Sequence, residues 1–308
     1  MAHAHHHHED HHPHAHAAPR YDRAFAIGIV LNLGFVLVEA FYGWQVDSLA
    51  LLADAGHNLS DVGGLLLAWA ALAASRLRPN DRHTYGWRRG SILASFINAS
   101  ILLVAMGSLG WESIQRLQQP VAMVGETVML VAAIGVLINA VTAWLFFSGS
   151  RSDLNLRGAF LHMAADALVS VGVVLAGALY LWQGWRWIDP LVSLAIAVAI
   201  VFGTWSLFRQ SLHLLFDGVP EQVDLPAVRR YLQGLPGVCD VHDLHVWAMS
   251  TAEVALTAHM TVGALPEGDE FLQGAARELR EHFGIAHATL QLERDAGCPL
   301  SCARPTAG

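Results

Sequence analysis

Six apolar runs, each long enough to cross a bilayer, constrain this chain more than anything else in it. They lie near 24–44, 50–74, 90–113, 125–148, 158–183 and 188–208. About 20 apolar residues span a hydrocarbon core as a helix, so the chain reads as a polytopic α-helical membrane protein with six transmembrane helices. Composition agrees: 54% of residues are apolar and only 14% charged, where soluble domains carry about a quarter charged. After Phe208 the character changes, and residues 220–295 mix charged and apolar positions as a small soluble domain does.

The placement of positive charge orients the spans. All 18 basic residues are arginine. Arg20 and Arg23 precede the first span, Arg76, Arg78, Arg82, Arg88 and Arg89 occupy the 2–3 loop, Arg151 and Arg157 the 4–5 loop, and Arg209 the exit from span six. The opposite loops hold only Arg116 and Arg186. The positive-inside rule then puts both termini in the cytoplasm, as expected of a bacterial inner-membrane protein in contact with the lipid bilayer. A net charge of −8 offers no basic surface for nucleic acid. Cys239, Cys298 and Cys302 all fall in the cytoplasmic part, which argues against a disulfide framework. The first apolar run is too long for a cleavable signal and follows a His-rich head.

Four domains are expected. Residues 1–19 hold nine of the 18 histidines and no apolar periodicity, so this head should be disordered. It reads as a purification tag or as a loose metal-collecting tail; Glu9, Asp10, Pro13 and the alternating alanines favour the tail. Residues 20–212 form the six-helix transport domain and 213–295 the cytoplasmic domain. A Cys-containing tail, 296–308, ends the chain. The cytoplasmic domain reads as helix 224–234, strands 238–247 and 252–262, helix 268–283 and strand 286–293. In the second strand Val254, Leu256, Ala258, Met260 and Val262 alternate with polar residues, and in the last Ala288, Leu290 and Leu292 do so. That period of two gives each strand one packed and one polar face, and αββαβ is a small α+β fold.

Polar residues interrupt the apolar runs in a repeated pattern. His57 and Asp61 lie four residues apart in the second run, and His162 and Asp166 repeat the spacing in the fifth. Four residues advance a helix by just over one turn, so each pair shares a face. Two such helices face to face offer two nitrogens and two oxygens, a donor set that suits tetrahedral Zn²⁺. The absence of sulfur disfavours copper(I), and mixed N/O ligands disfavour magnesium or calcium. A carboxylate at mid-bilayer costs roughly 2.5–3.5 kcal/mol, so such groups are functional candidates by default, although polar side chains also join helices. Asp54 shares the face of Asp61, either steering an imidazole or hydrogen-bonding a neighbouring helix. Glu39 and Asn139 raise the same choice. Ser91, Ser95 and Ala99 in span three, and Ala195, Ala199 and Gly203 in span six, form small-residue stripes that permit close helix contact.

The chain resembles the cation diffusion facilitators, in particular the bacterial zinc/cadmium/cobalt exporters. The resemblance rests on "SLALLADAGHNLSD", "RHTYGWRRGSILASFINA", "LNLRGAFLHMAADALVSVGVV", "WIDPLVSLAIAVAI", "VHDLHVW" and "ATLQLE", in that order over about 22–295. It implies a homodimer of six-helix units with metallochaperone-like cytoplasmic domains, and an ion bound on His57, Asp61, His162 and Asp166. Histidine at the first position resembles the zinc-preferring branch. The resemblance also implies a cytoplasmic metal site on His242, His259 and Glu293, of which the strand pattern independently puts His259 and Glu293 on polar faces. Gln291 stands where some relatives have histidine, so a fourth ligand is sought in His287 or the His-rich head. Cys298 and Cys302 resemble a zinc-binding pair of some relatives, against the alternative of two inert thiols. His245 is out of phase with His242 and reads as structural. His83 matches a peripheral ligand, but Asn80 and Trp87 stand where others have ligands, and no peripheral site is expected.

Metal must displace protons from its ligands, and histidine titrates near neutral pH. The function expected is Zn²⁺/H⁺ antiport out of the cytoplasm, with Cd²⁺ and Co²⁺ as further substrates and His57 or His162 carrying the counter-proton. Zinc serves also as a structural or regulatory ion, and no organic cofactor is implied. The alternatives are a metal sensor or storage protein, and an intramembrane metalloenzyme. The latter would want His-Glu-x-x-His, but Asn58 follows His57 and Met163 follows His162. A channel is disfavoured because four strong ligands make a deep well.

Overall fold

Backbone polar groups in hydrocarbon must be satisfied within their own segment, and the apolar runs accordingly become helices. The computed structural model describes residues 22–75, 77–119, 121, 124–147, 154–265 and 269–294. The His-rich head and the Cys298–Cys302 tail lie outside the described residues. Six long helices come first: α1 (Asp22–Gln45), α2 (Leu49–Ser75), α3 (Gly90–Gln118), α4 (Gly125–Phe147), α5 (Leu154–Gln183) and α6 (Ile188–Leu215). A smaller unit follows: α7 (Leu225–Gln233), β1 (Val238–Ala248), β2 (Val254–Val262), α8 (Glu270–Phe283) and β3 (Ile285–Arg294).

Four of the long helices, α3, α4, α5 from Phe160 and α6, are apolar and long enough to cross a membrane. At most 39% of the residues in their most apolar stretches are buried within the chain. Val104, Leu130, Trp144, Leu168 and Phe202 face outward. So much exposed apolar surface is a liability in water and the favourable face in lipid. Two helices outrun the apolar runs that foretold them, α3 to Gln118 and α6 to Leu215. Hydropathy marks the bilayer, whereas the hydrogen-bond ladder continues past it until a residue breaks the geometry. For α6 that break is Asp217, in the left-handed region at φ 57°, the conformation that commonly closes helices.

Packing explains how α2 is held. α1 packs on α2 and α4, α2 on α3 and α6, and α4 on α5. Gly43 in α1 lets the start of α2 approach, for a Cβ there would meet Leu51 and Leu52 at 3.1–3.2 Å. Gly135 in α4 admits the Phe35 ring, which a Cβ would meet at 2.7 Å. The N-terminus of α2 is capped from 140 residues away. Asp189 of α6, 4% exposed, accepts from Ser48 Oγ at 2.6 Å and Leu49 N at 3.1 Å. Beside it Arg116 of α3 donates to the Asp47 carbonyl and carboxylate, both at 2.7 Å. α3 and α6 pack closely on each other: buried Ala197 clusters with Leu102 and Met106, while Ala199 and Gly203 of the small-residue stripe line a cavity with Asn98 and Leu102 of α3.

In the smaller unit the sheet order is β1-β2-β3, β1 antiparallel and β3 parallel to β2. The expected inward residues of β2, Val254, Leu256, Ala258, Met260 and Val262, are all at most 3% exposed. Val228 and Leu232 of α7 and Leu279 of α8 complete that core. Asp224 caps α7 by accepting from Ala227 N at 3.1 Å, and Gly284, at φ 68°, closes α8.

Polar contacts join the two parts. Arg88 Nη1 donates to Glu253 Oε2 at 2.8 Å and lies 3.0 Å from His287 Nε2. Arg89 pairs with Asp217, and Thr251 N donates to Ser91 Oγ at 3.1 Å.

Candidate metal centre

The four-residue spacing sets each His–Asp pair on one face of its helix, and the two faces meet. His57 and Asp61 project from α2 and His162 and Asp166 from α5 into one cluster. His162 Nε2 lies 3.1 Å from Asp61 Oδ2 and 3.6 Å from Asp166 Oδ2. His57 Nε2 lies 3.6 Å from Asp61 Oδ2 and 3.7 Å from Asp166 Oδ1. Ligands about 2.0–2.1 Å from a tetrahedral ion stand about 3.3 Å from one another, so these separations match the edges of such a tetrahedron. The set is not symmetric: ligand atoms of His57, Asp61 and His162 all fall within 4.8 Å of one another, with Asp166 set slightly apart.

Burial and unmet bonding point the same way. The Asp166 side chain is 3% exposed and that of His57 23%. Asp61 Oδ2, Asp166 Oδ2 and His57 Nδ1 are buried without a hydrogen-bond partner. Buried carboxylate oxygens without donors are costly, and a cation among them would satisfy both. The cluster opens on a cavity of about 380 Å³ lined by Asn98, Ile200, Gly203, Thr204 and Leu207 among others. The cavity follows α6 toward the end of the bundle that carries the sheet.

Asp54 takes the second of its two expected roles. It is 1% exposed and accepts from Ser170 Oγ of α5 at 3.1 Å and Asn58 Nδ2 at 3.5 Å. It ties helices together rather than orienting an imidazole. Glu39 and Asn139 are fully buried and neither finds a hydrogen-bond partner.

A second cluster lies on the sheet. His242 and His259 stand directly opposite on β1 and β2, and Glu293 reaches them diagonally from β3. Glu293 Oε2 is 3.2 Å from His242 Nε2, and Oε1 is 2.9 Å from His259 Nδ1. Gln291 Nε2 donates to Glu293 Oε1 at 2.9 Å and so orients that carboxylate. Asp240 and Asp243 approach His242 and His259 at 3.7 and 3.9 Å. His287 does not join this cluster. It pairs with Ala255, while His259 pairs with Gln291, and six residues of strand put it about 20 Å from Glu293. Arg88 holds it instead. The unlike environment has a plain cause: strand alternation fixes a face but not a distance along it. His245 faces another cavity with Arg89 and Trp247. His83 stacks on Trp87 at 4.3 Å, and Asn80 Oδ1 accepts from the Arg82 and His83 amides.

Sequence reasoning passed over Asn98, Ser60 and Asp189. Ser60 Oγ donates to Asn98 Oδ1 at 3.4 Å at the cavity wall. The signal was there, since both Asn98 and Asp189 are polar residues inside apolar runs, the criterion already applied to Asp54.

Comparisons with known proteins follow the same two-part division. The family model described as the cation efflux transmembrane domain matches residues 25–216. The model of the cation efflux protein cytoplasmic domain matches 220–295. The zinc transporter ZitB of Escherichia coli is 38% identical over 95% of this chain and 93% of its own. The cadmium, cobalt and zinc/H(+)-K(+) antiporter of Bacillus subtilis is 34% identical, covering 92% of each chain. The metal cation efflux system protein CzcD of Cupriavidus metallidurans is 34% identical over 91% of this chain and 89% of its own. Matched from the helices through the sheet, the chain belongs to the cation efflux family of membrane proteins.

Proposed function

We propose that this protein exports divalent metal cations, Zn²⁺ foremost and Cd²⁺ and Co²⁺ with it, from the cytoplasm in exchange for protons. What carries the reading is the convergence of His57, Asp61, His162 and Asp166, with N···O separations of 3.1–3.7 Å, in a cavity between apolar helices. The names of the relatives, a zinc transporter and a cadmium, cobalt and zinc antiporter, support transport over storage or sensing. In this reading α1 and α2 span the inner membrane with the four more apolar helices, both termini lie in the cytoplasm, and residues 20–212 and 213–295 are the transport and cytoplasmic domains. The match of 220–295 to the family's cytoplasmic domain supports a homodimer joined there.

The chemistry follows from the donor set. Zinc enters along α6 and replaces protons on the imidazoles, since each nitrogen must present its lone pair. Two carboxylates and two neutral imidazoles cancel the ion's double charge, so the loaded site is neutral in a medium that penalises charge. Protonation from the far side returns positive charge to His57 or His162 and expels the ion by repulsion. His242, His259 and Glu293 bind a further zinc that biases the transport states.

Reconstituted protein should take up zinc when a pH gradient is imposed, and Asp166→Ala should abolish uptake. Undiminished uptake by Asp166→Ala would end the assignment of this site.

A further inference from the structure

Just past Asp61, α2 carries two glycines in succession, Gly63 and Gly64. Glycine inside a helix is destabilising relative to alanine, so the pair needs a reason, and the reason lies on α3. A Cβ on Gly64 would stand 2.8 Å from Asn98 Nδ2 and 3.3 Å from Asn98 Cγ, and one on Gly63 would reach Asn98 Oδ1 at 3.9 Å. One turn earlier, Ser60 Oγ donates to Asn98 Oδ1 at 3.4 Å. The Asn98 amide therefore sits in a notch of α2 edged by Ser60, Gly63 and Gly64. Further along the same edge a Cβ on Gly56 would meet Met106 Cε of α3 at 3.2 Å. α3 thus runs antiparallel along α2 beside its ligands: Gly56 precedes His57, and Ser60 precedes Asp61.

Asp61 is short of other support. Carboxylates that ligate a metal are ordinarily held by hydrogen bonds from outer partners, but Asp61 Oδ2 has no hydrogen-bond donor. Its position is set through the backbone that carries it. Outside the ion cluster, the turn around Asp61 has one side-chain hydrogen bond to another helix among the described residues, that of Ser60 with Asn98. Asn98 also lines the ion cavity together with all four ligands. Being an amide, it adds no charge to a site that is neutral when loaded.

We propose that Asn98 is a positioning residue of the ion site: seated in the notch of α2, it sets where Asp61 stands relative to His162, the 3.1 Å contact between α2 and α5. It acts through the backbone of α2 and needs no contact of its own with the ion. This inference rests on the reading of His57, Asp61, His162 and Asp166 as the cation site.

The test is calorimetric zinc titration of the full chain in lipid nanodiscs. Asn98→Ala should weaken binding about 10–100-fold, the range typical of losing an outer partner; an unchanged affinity overturns the proposal. Gly64→Ala, whose methyl group displaces the amide from its notch, should weaken binding likewise. The two changes together should cost no more than Asn98→Ala alone, since the truncated side chain leaves room for the methyl; losses that simply multiply count against the notch. The deciding comparison is made without the carboxylate. In Asp61→Ala, at zinc concentrations that load the weakened site, adding Asn98→Ala should leave the affinity where it was. A fall as large as in wild type would make Asn98 a general packing residue and defeat the proposal. Should Asn98→Ala not fold, Gly64→Ala decides, alone and combined with Asp61→Ala. Full zinc affinity in Asp61→Ala would sink the ion-site reading itself, whereas loss with Asp61→Ala and none with Asn98→Ala defeats this inference alone.

Discussion

His162 Nε2 lies 3.1 Å from Asp61 Oδ2, the shortest contact between α2 and α5 in the ion cluster. Neither residue's own His-x₃-Asp partner is as near: His57 is 3.6 Å from Asp61 and Asp166 is 3.6 Å from His162. The tightest contact of the site is therefore one that crosses between helices, while the other crossing pair, His57 and Asp166, is the widest at 3.7 Å. Asp61→Ala should lower zinc affinity by more than the 10–100-fold typical of losing an outer partner. Calorimetric zinc titration of the reconstituted protein checks it; a loss under about tenfold would mean that Asp61 is not a ligand.

Acid should release zinc. Both imidazoles must be neutral to bind, and an ordinary histidine pKa is about 6.5. Competition by protons at two such rings weakens binding about a hundredfold as pH falls from about 7.5 to about 5.5. His162→Ala should flatten that slope to about tenfold over the same interval. Equilibrium ⁶⁵Zn binding at a series of pH values reads both slopes.

At the sheet, Glu293→Ala should remove one bound zinc per protomer while the bundle site keeps its own. Its side chain is 38% exposed, so stability should move by no more than about 0.5 kcal/mol. Metal analysis after exhaustive dialysis gives the stoichiometry, and transport against free zinc shows whether the lost ion was regulatory. Full retention of zinc would remove Glu293 from the cluster.

Asp189→Ala strips α2 of its cap. Losing a capping side chain costs about 0.5–2 kcal/mol, and the buried Ser48 hydroxyl loses its acceptor at the same time. Thermal unfolding in detergent should show the drop, with Asp189→Asn recovering part of it through its amide oxygen. Equal melting of wild type and Asp189→Ala would contradict the capping geometry.

The helices and the doubled His-x₃-Asp were legible because both are local. Apolar content marks a span, and a four-residue interval marks a face wherever the helix goes. Asp189 was not legible as a cap on α2, since nothing near either residue reveals a contact made across 140 positions. His287 was misjudged for a related reason: alternation assigned its face, but only the register of β3 on β2 shows it far from Glu293 and beside Arg88. Glu39 was visible as an anomaly in an apolar run. That no donor reaches its carboxylate shows only once α1 is packed against its neighbours.

Asp189 and Arg116 fasten one end of α2, and the cavity leaves the other flank of its ligands open. A helix so fixed behaves as a lever with its fulcrum at Leu49. At 1.5 Å per residue the arm to His57 is about 12 Å and to Asp61 about 18 Å. A tilt of about 10° therefore swings Asp61 through about 3 Å, more than the length of a metal–oxygen bond of about 2.0–2.2 Å, while His57 travels only about two-thirds as far. The carboxylate would let go before the imidazole, which gives ion release an order dictated by where the hinge sits.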